Sequence, residues 1–187
     1  GMGMTVTACY IFLAIVLAPP LIKAGLDPLA VHLFIMYWGM VSFITPPVAL
    51  ASFSAANLAR ANPIMVGLES MRMGSTMYFI PFMFVLSPAL ILRGSVTEIL
   101  LDTSTAFVGV LVIAAGLQGY LLGVGDLGRG PGGWVVRVTL VASGMALALP
   151  GNGSVYFNYW QLAVIAAVLA VPTVLVGLAR RRAGTLR

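Results

Sequence analysis

Backbone breakers, rather than nucleophiles, carry the clearest chemical signal in this 187-residue chain. Thr45-Pro46-Pro47 interrupts an apolar stretch that runs from Leu29 to Leu58. Two consecutive prolines remove two amide donors and disfavour helical geometry at Thr45, so a helix from Leu29 to about Phe43 must stop there. The carbonyls of Ser42 and Phe43 are predicted to lose their helical partners, and those from Gly39 to Ile44 to point into a cavity with the negative end of a half-helix. Such an arrangement suits a desolvated cation, with Ser42, Ile44, Thr45, Pro46 and Pro47 as its neighbours. A second half-helix predicted from Pro47 would present the amides of Val48, Ala49 and Leu50 to a carboxylate. A plain proline kink in a spanning helix is the competing reading, and it requires no ligand.

A second candidate group stands at the start of the chain. Gly1-Met2-Gly3-Met4-Thr5-Val6-Thr7 sets two glycines and two hydroxyls before an apolar arm, as the tip of a re-entrant hairpin would. Thr5 and Thr7 can supply oxygen ligands, and Gly1 and Gly3 allow close backbone approach. Ordinary capping of a helix start explains Thr5 equally well.

Other motifs lead away from catalysis. One cysteine, Cys9, and one histidine, His32, exclude an internal disulfide, a cysteine-cluster metal site and a His-His ligand pair. Gly123-Val124-Gly125-Asp126-Leu127-Gly128 matches a dinucleotide glycine pattern and the Gly-x-Gly-Asp of intramembrane aspartyl proteases. It joins two apolar segments instead of following a strand, and Asp126 falls in that loop while Asp102 lies near the opposite interface, so the two would not face each other and a connecting loop is expected. His32 could relay a proton or meet a partner protein, but a satisfied core histidine accounts for it as well. Glu69 and Arg72 are spaced to pair locally, and the five methionines from Met65 to Met83 read as packing.

The elements that hold these groups are apolar. Hydrophobic residues make up 60% of the chain and charged residues 8%, with a mean hydropathy of +1.05, which excludes an ordinary soluble domain. A span needs roughly 20 apolar residues. About six hydrophobic segments are predicted: Met4 to Ile22, Leu29 to Leu58 with its interruption, Met77 to Leu92, Thr105 to Leu122, Trp134 to Leu149, and Tyr159 to Leu178. Asn62-Pro63 opens a connector before the third, and the capping box Ser95 to Glu98 precedes the fourth. The fold class expected is therefore an all-α integral membrane protein containing a re-entrant hairpin arm and a broken transmembrane helix, half of an inverted-repeat core. Residues 1-62 would form the hairpin arm and broken helix, and 63-187 additional helices.

A cytoplasmic C-terminus places Arg60, Arg72, Arg129, Arg137, Arg180, Arg181, Arg182 and Arg187 inside, leaving Lys23 and Arg93 outside, in accord with the bias of basic residues toward the cytoplasm. The net charge of +5 is not gathered on one aromatic-laced face, so no nucleic-acid partner is expected; the lipid bilayer is. The chain begins at Gly1, not Met, and is read as a fragment with sequence missing upstream.

Gly1 to Tyr10, Ala18-Pro19-Pro20-Leu21-Ile22, Gly25, His32-Leu33-Phe34, Tyr37 and Ile44-Thr45-Pro46-Pro47-Val48-Ala49-Leu50-Ala51 closely resemble the C-terminal part of the large membrane subunit of TRAP (tripartite ATP-independent periplasmic) transporters. Ala61-Asn62-Pro63, Ile80-Pro81-Phe82-Met83-Phe84 and Ser87-Pro88-Ala89-Leu90 are similar to the fused permeases that work with TAXI-type solute-binding proteins. The resemblance implies an elevator-type permease of the bacterial inner membrane, with no enzyme activity and no cofactor beyond sodium as coupling ion. It maps Gly1, Gly3, Thr5 and Thr7 to the second hairpin tip and Ser42, Ile44, Thr45, Pro46 and Pro47 to the second break. Thr5, Thr7, Ser42 and Thr45 would then be the sodium ligands. It implies organic anions such as dicarboxylates as substrate, delivered by a periplasmic solute-binding protein. A structural or accessory membrane subunit without its own transport site is the alternative.

Overall fold

The computed structural model describes residues 4–122, 124–128, 130–149 and 158–182. Gly1 and Gly3 of the expected tip, Gly123, Arg129 and residues 150–157 and 183–187 lie outside them. The chain divides into two compact units, Gly1–Ile91 and Leu92–Arg187. The sequence boundary at 62 and 63 is a helix cap within the first.

In the first unit, Thr5 opens α1 (Val6–Val16), which passes at Leu17 into α2 (Ala18–Lys23), with Pro19 and Pro20 in the first turn, where missing amides are harmless. Asp27 caps α3 (Pro28–Val41) by accepting from the amides of Leu29 at 2.8 Å and Ala30 at 3.2 Å. Ala18, Val31 and Ile35 form the apolar centre joining these helices, lined by Tyr10, Leu13 and Phe34. The interruption follows, then α4 (Leu50–Ala59) and α5 (Pro63–Met73). Asn62 caps α5 as its sequence predicts, its Oδ1 accepting from Ile64 at 3.0 Å and Met65 at 3.3 Å.

Two of the helices expected in this unit differ. The second half-helix starts at Leu50, not Pro47, because the paired prolines cannot donate and Ala49 turns left-handed at φ 31°. The run from Met77 to Leu92 is not one helix. It is a 3-10 turn (Ser75–Tyr78), α6 (Ile80–Leu86) and a second 3-10 turn (Pro88–Ile91), with Ser87 extended at φ −124°, ψ 104° as a residue before proline prefers.

In the second unit, the Ser95–Glu98 capping box opens α7 (Val96–Gln118), 23 residues long. The box fixes the start of the helix, as the sequence predicts, and Gly119, at φ 74°, ends it with its amide on Ala115 O, before the Leu122 expected as the end of its spanning portion. Beyond it Tyr120–Leu121 (β1) pairs antiparallel with Gly125–Asp126 (β2). Next comes α8 (Pro131–Ala148), beginning at the proline and three residues before the predicted Trp134, and then α9 (Tyr159–Arg182).

Asp102, Ala106, Gly109, Ile113 and Gly116 form the buried stripe of α7, at steps of four and three. Its glycines allow the backbones of α7 and α8 to meet: a Cβ at Gly109 would lie 2.7 Å from Gly144 O, and one at Gly144 would lie 2.7 Å from Gly109 O. Ser143 donates to Ala166 O at 2.9 Å, joining α8 to α9.

The helical expectation therefore holds, and among the described residues the sheet is limited to the hairpin of two two-residue strands. Among the described residues α7 is the helix long and apolar enough to cross a bilayer, while the shorter apolar helices run from 10 to 17 residues.

Candidate functional site

The interruption spans Ser42 to Ala49 and is folded back on itself. Ser42 O accepts from Thr45 N at 3.4 Å, Phe43 O from Ala51 N at 3.1 Å, and Thr45 O from Ala49 N at 3.2 Å. The carbonyls of Ser42 and Phe43 are thus not bare, contrary to expectation. The turn tightens to short-range bonds, and the first turn of α4 reaches back across the prolines, so both are occupied. The amide of Ala49 is likewise used. No backbone donor among the described residues reaches the carbonyls of Ile44, Pro46 or Pro47, and no backbone acceptor takes the amides of Val48 or Leu50. These are the main-chain groups left for a ligand. The Pro46-Pro47 peptide bond is cis.

The hydroxyls are tied but not spent. Ser42 Oγ donates to Gly39 O at 2.6 Å, keeping both lone pairs. Thr45 Oγ1 donates to Val41 O at 2.9 Å, so the Tyr78 hydroxyl, 2.8 Å away, donates to Thr45 and leaves one lone pair on Oγ1. Around this pair stand Trp38, edge-on to Tyr78 at 5.9 Å between ring centres, and Phe82, at 6.1 Å from Trp38. The indole Nε1 of Trp38 and the hydroxyls of Ser52 and Ser75 are buried without a hydrogen-bond partner. Native interiors rarely leave such atoms unmet, and each is a polar group free to meet a water, an ion or a substrate.

On the far side, α5 presses on the break at Gly67. A Cβ there would sit 2.8 Å from Pro46 Cγ and 3.8 Å from Ala49 Cβ. At the other end α1 packs on Gly39, with Val6 Cγ1 3.7 Å and Cys9 Sγ 3.8 Å from where its Cβ would be. The first turn of α1 therefore meets the residue whose carbonyl receives Ser42. Thr5 and Thr7 are exposed, and Thr5 Oγ1 accepts from Ala8 N at 3.3 Å as a helix cap. Among the described residues no hydrogen bond joins either to Ser42 or Thr45.

Of the functional groups here, Tyr78, Trp38 and Ser52 escaped sequence reasoning. Trp38 stands two turns before Thr45 on the same face, which is the one signal that could have found it. His32 is satisfied: Tyr10 Oη lies 3.0 Å from its Nδ1. Asp126, the last residue of β2, accepts from Gly128 N at 2.8 Å just beyond the strand, and some 24 Å of helix separates Asp102 from the end of α7, so the two aspartates do not form a catalytic pair. Among the described residues no group of three or more His, Cys, Asp or Glu could hold a metal. A cation would have to be met by hydroxyl and carbonyl oxygens.

Comparison with known proteins gives one result. Residues 1–99 match the family model described as "Tripartite ATP-independent periplasmic transporter, DctM component". The matched span takes in the whole first unit, including the break, Tyr78 and the α5 buttress, and the first turn of α7. No curated protein and no solved structure matches the chain.

Proposed function

The chain belongs to the DctM component family of tripartite ATP-independent periplasmic transporters, membrane permeases that work with a periplasmic binding protein and a small subunit; from that premise we propose that the break between α3 and α4 is one half of a sodium-coupled path for organic anions such as dicarboxylates. The observation that carries this reading is the cluster of unmet polar groups beside paired prolines. The carbonyls of Ile44, Pro46 and Pro47 and the spare lone pairs of Ser42 and Thr45 are oxygen ligands of the hard type a small cation takes. The amides of Val48 and Leu50 at the start of α4, with the buried Ser52 hydroxyl, suit a carboxylate. Gly1, Gly3, Thr5 and Thr7 would complete the site as the hairpin tip.

In this reading the chain does no covalent chemistry. A solute-binding protein delivers the anion, and sodium entry together with the membrane potential, about 2.3 kcal/mol per charge per 100 mV, drives it inward. The C-terminal helices extend the core as in TAXI-type fused permeases, with the C-terminus in the cytoplasm of a bacterial cell and the helices in its inner membrane. The remaining half of the site is supplied by the first repeat, inverted relative to this one.

A second reading has an observation of its own. Ser42 O and Phe43 O are satisfied inside the break, as they would be if it served only to pack helices, so an accessory subunit is the competing conclusion. Uptake by proteoliposomes of the assembled transporter separates the two. Thr45→Val with Ser42→Ala weakens sodium dependence if the break binds the ion, and leaves it untouched if the break is only a packing device.

A further inference from the structure

Arg137 occupies an unusual position in the second unit. Its Nε donates to Gly116 O at 3.0 Å and its Nη2 to Leu117 O at 2.6 Å, the last-turn carbonyls of α7. The guanidinium also lies over the Trp134 ring at 5.3 Å, and Gly119 gives it room, since a Cβ there would come within 3.2 Å. Among the described residues these are its partners, and none is a carboxylate. Two of five N–H groups are used, and the end of a helix supplies only about half a negative charge, so about half of a permanent positive charge is unmet.

Beside it runs a groove of about 390 Å³ lined by Trp134, Arg137, Val138, Val141, Ala142 and Met145 with the end of α7. Apart from the guanidinium its walls are apolar. Trp134 is 59% exposed, Val138 57% and Met145 46%, so the face is open in this unit. From Trp134 to Met145 is eleven residues of helix, about 16 Å, close to the half-thickness of a bilayer's hydrocarbon.

We propose that this groove binds an anionic phospholipid: one acyl chain lies along α8 from Val138 to Met145, and the phosphate sits on the free edge of the Arg137 guanidinium beside Trp134. Charge selects this occupant. A zwitterionic lipid would fill the apolar part as well, but only a net anion answers the unmet charge, and a packed apolar helix would leave that charge stranded. The carbonyl pair at the end of α7 holds the guanidinium flat, so the headgroup meets a preset fork instead of a mobile side chain.

Trp134 reports occupancy directly. The chain carrying Trp38→Phe and Trp160→Phe, so that Trp134 alone emits, is reconstituted in nanodiscs with brominated phosphatidylglycerol or brominated phosphatidylcholine. Quenching by the anionic lipid is expected at about fivefold lower mole fraction, the worth of one arginine at a membrane surface. Arg137→Gln abolishes the preference and Arg137→Lys retains most of it. Ala142→Phe, which fills the groove but keeps the guanidinium, removes quenching by both lipids, and it decides the matter should Arg137→Gln not fold. Equal quenching by the two lipids, an anionic preference that survives Arg137→Gln, or relief by millimolar inorganic phosphate overturns the proposal. So does Trp134 emission that no brominated lipid reaches in the assembled transporter, because protein would then cover this face.

Discussion

Tyr159 donates its hydroxyl to Asp102 Oδ1 at 2.5 Å, joining the first residue of α9 to the second turn of α7 across 57 positions of sequence. Asp102 is 3% exposed and heads the buried stripe that α7 turns toward α8. An acid in this setting requires donors, because a carboxylate taken out of water without them is strongly disfavoured. The bond therefore does structural work at the point where the second unit closes.

Tyr159→Phe removes that donor while leaving the ring in place. A loss of about 1 to 2 kcal/mol is expected, near the upper end for side-chain hydrogen bonds between membrane helices. Unfolding in mixed micelles of sodium dodecyl sulfate measures it. A change indistinguishable from zero would show that the bond contributes nothing net.

The crossing of α7 and α8 at Gly109 and Gly144 sets a steric limit. Either glycine, given a side chain, meets the other's carbonyl oxygen at 2.7 Å, and backbone cannot step aside as a flexible side chain can. Gly144→Val is expected to cost about 1 to 3 kcal/mol by overpacking and to lower the thermal midpoint of the detergent-solubilised chain. Gly130→Val, at a position where a Cβ meets nothing, is the matched control and leaves the midpoint within a degree or two of the parent, as surface changes usually do.

Gly67 tests whether the α5 buttress holds the break in shape. Its absent side chain admits the Pro46 ring, and a Cβ would reach within 2.8 Å of Pro46 Cγ. Gly67→Val is expected to displace the Pro46 ring and reduce uptake by the assembled transporter more than it reduces the amount of folded protein. Uptake that falls only in proportion to folded protein would place the effect in packing alone.

Local signals in the sequence forecast local structure well. Asn62 before Pro63, and Ser95 three residues before Glu98, each cap the helix they predict, because a cap depends on residues within one turn of itself. The Thr45-Pro46-Pro47 interruption was legible for the same reason: a missing amide is missing in any context. What its freed groups do was not legible. Ala51 returning to Phe43 O and Tyr78 reaching Thr45 depend on how the chain folds back, over 8 and 33 residues, and no local pattern encodes it. From Met77 to Leu92 hydropathy alone predicts one segment, whereas Pro81 and Pro88 each lack an amide donor and the backbone divides around them. The bond between Tyr159 and Asp102 was not legible either, because the two lie two helices apart.

Thr45 offers the sharpest test of the permease reading, because three substitutions separate ligand from strut. Its hydroxyl donates to Val41 O, accepts from Tyr78 and keeps one lone pair. Thr45→Ser preserves all three functions; Thr45→Val preserves shape and loses them; Tyr78→Phe removes the neighbouring donor but leaves Thr45 Oγ1 in place with two lone pairs. If Oγ1 is a ligand, Thr45→Val raises the sodium concentration for half-maximal uptake by at least about tenfold, the usual worth of a contact to a charged group. Thr45→Ser then stays near the parent, and Tyr78→Phe changes the value far less than Thr45→Val. If Thr45 is only a strut, Tyr78→Phe costs about 1 kcal/mol of stability for the one bond it breaks, Thr45→Val costs more because it also loses the bond to Val41 O, and both leave the sodium dependence alone. Sodium titration of uptake, normalised to folded protein, distinguishes these patterns: a loss of stability in both variants with no change in the sodium dependence of either would remove Thr45 from the ion path.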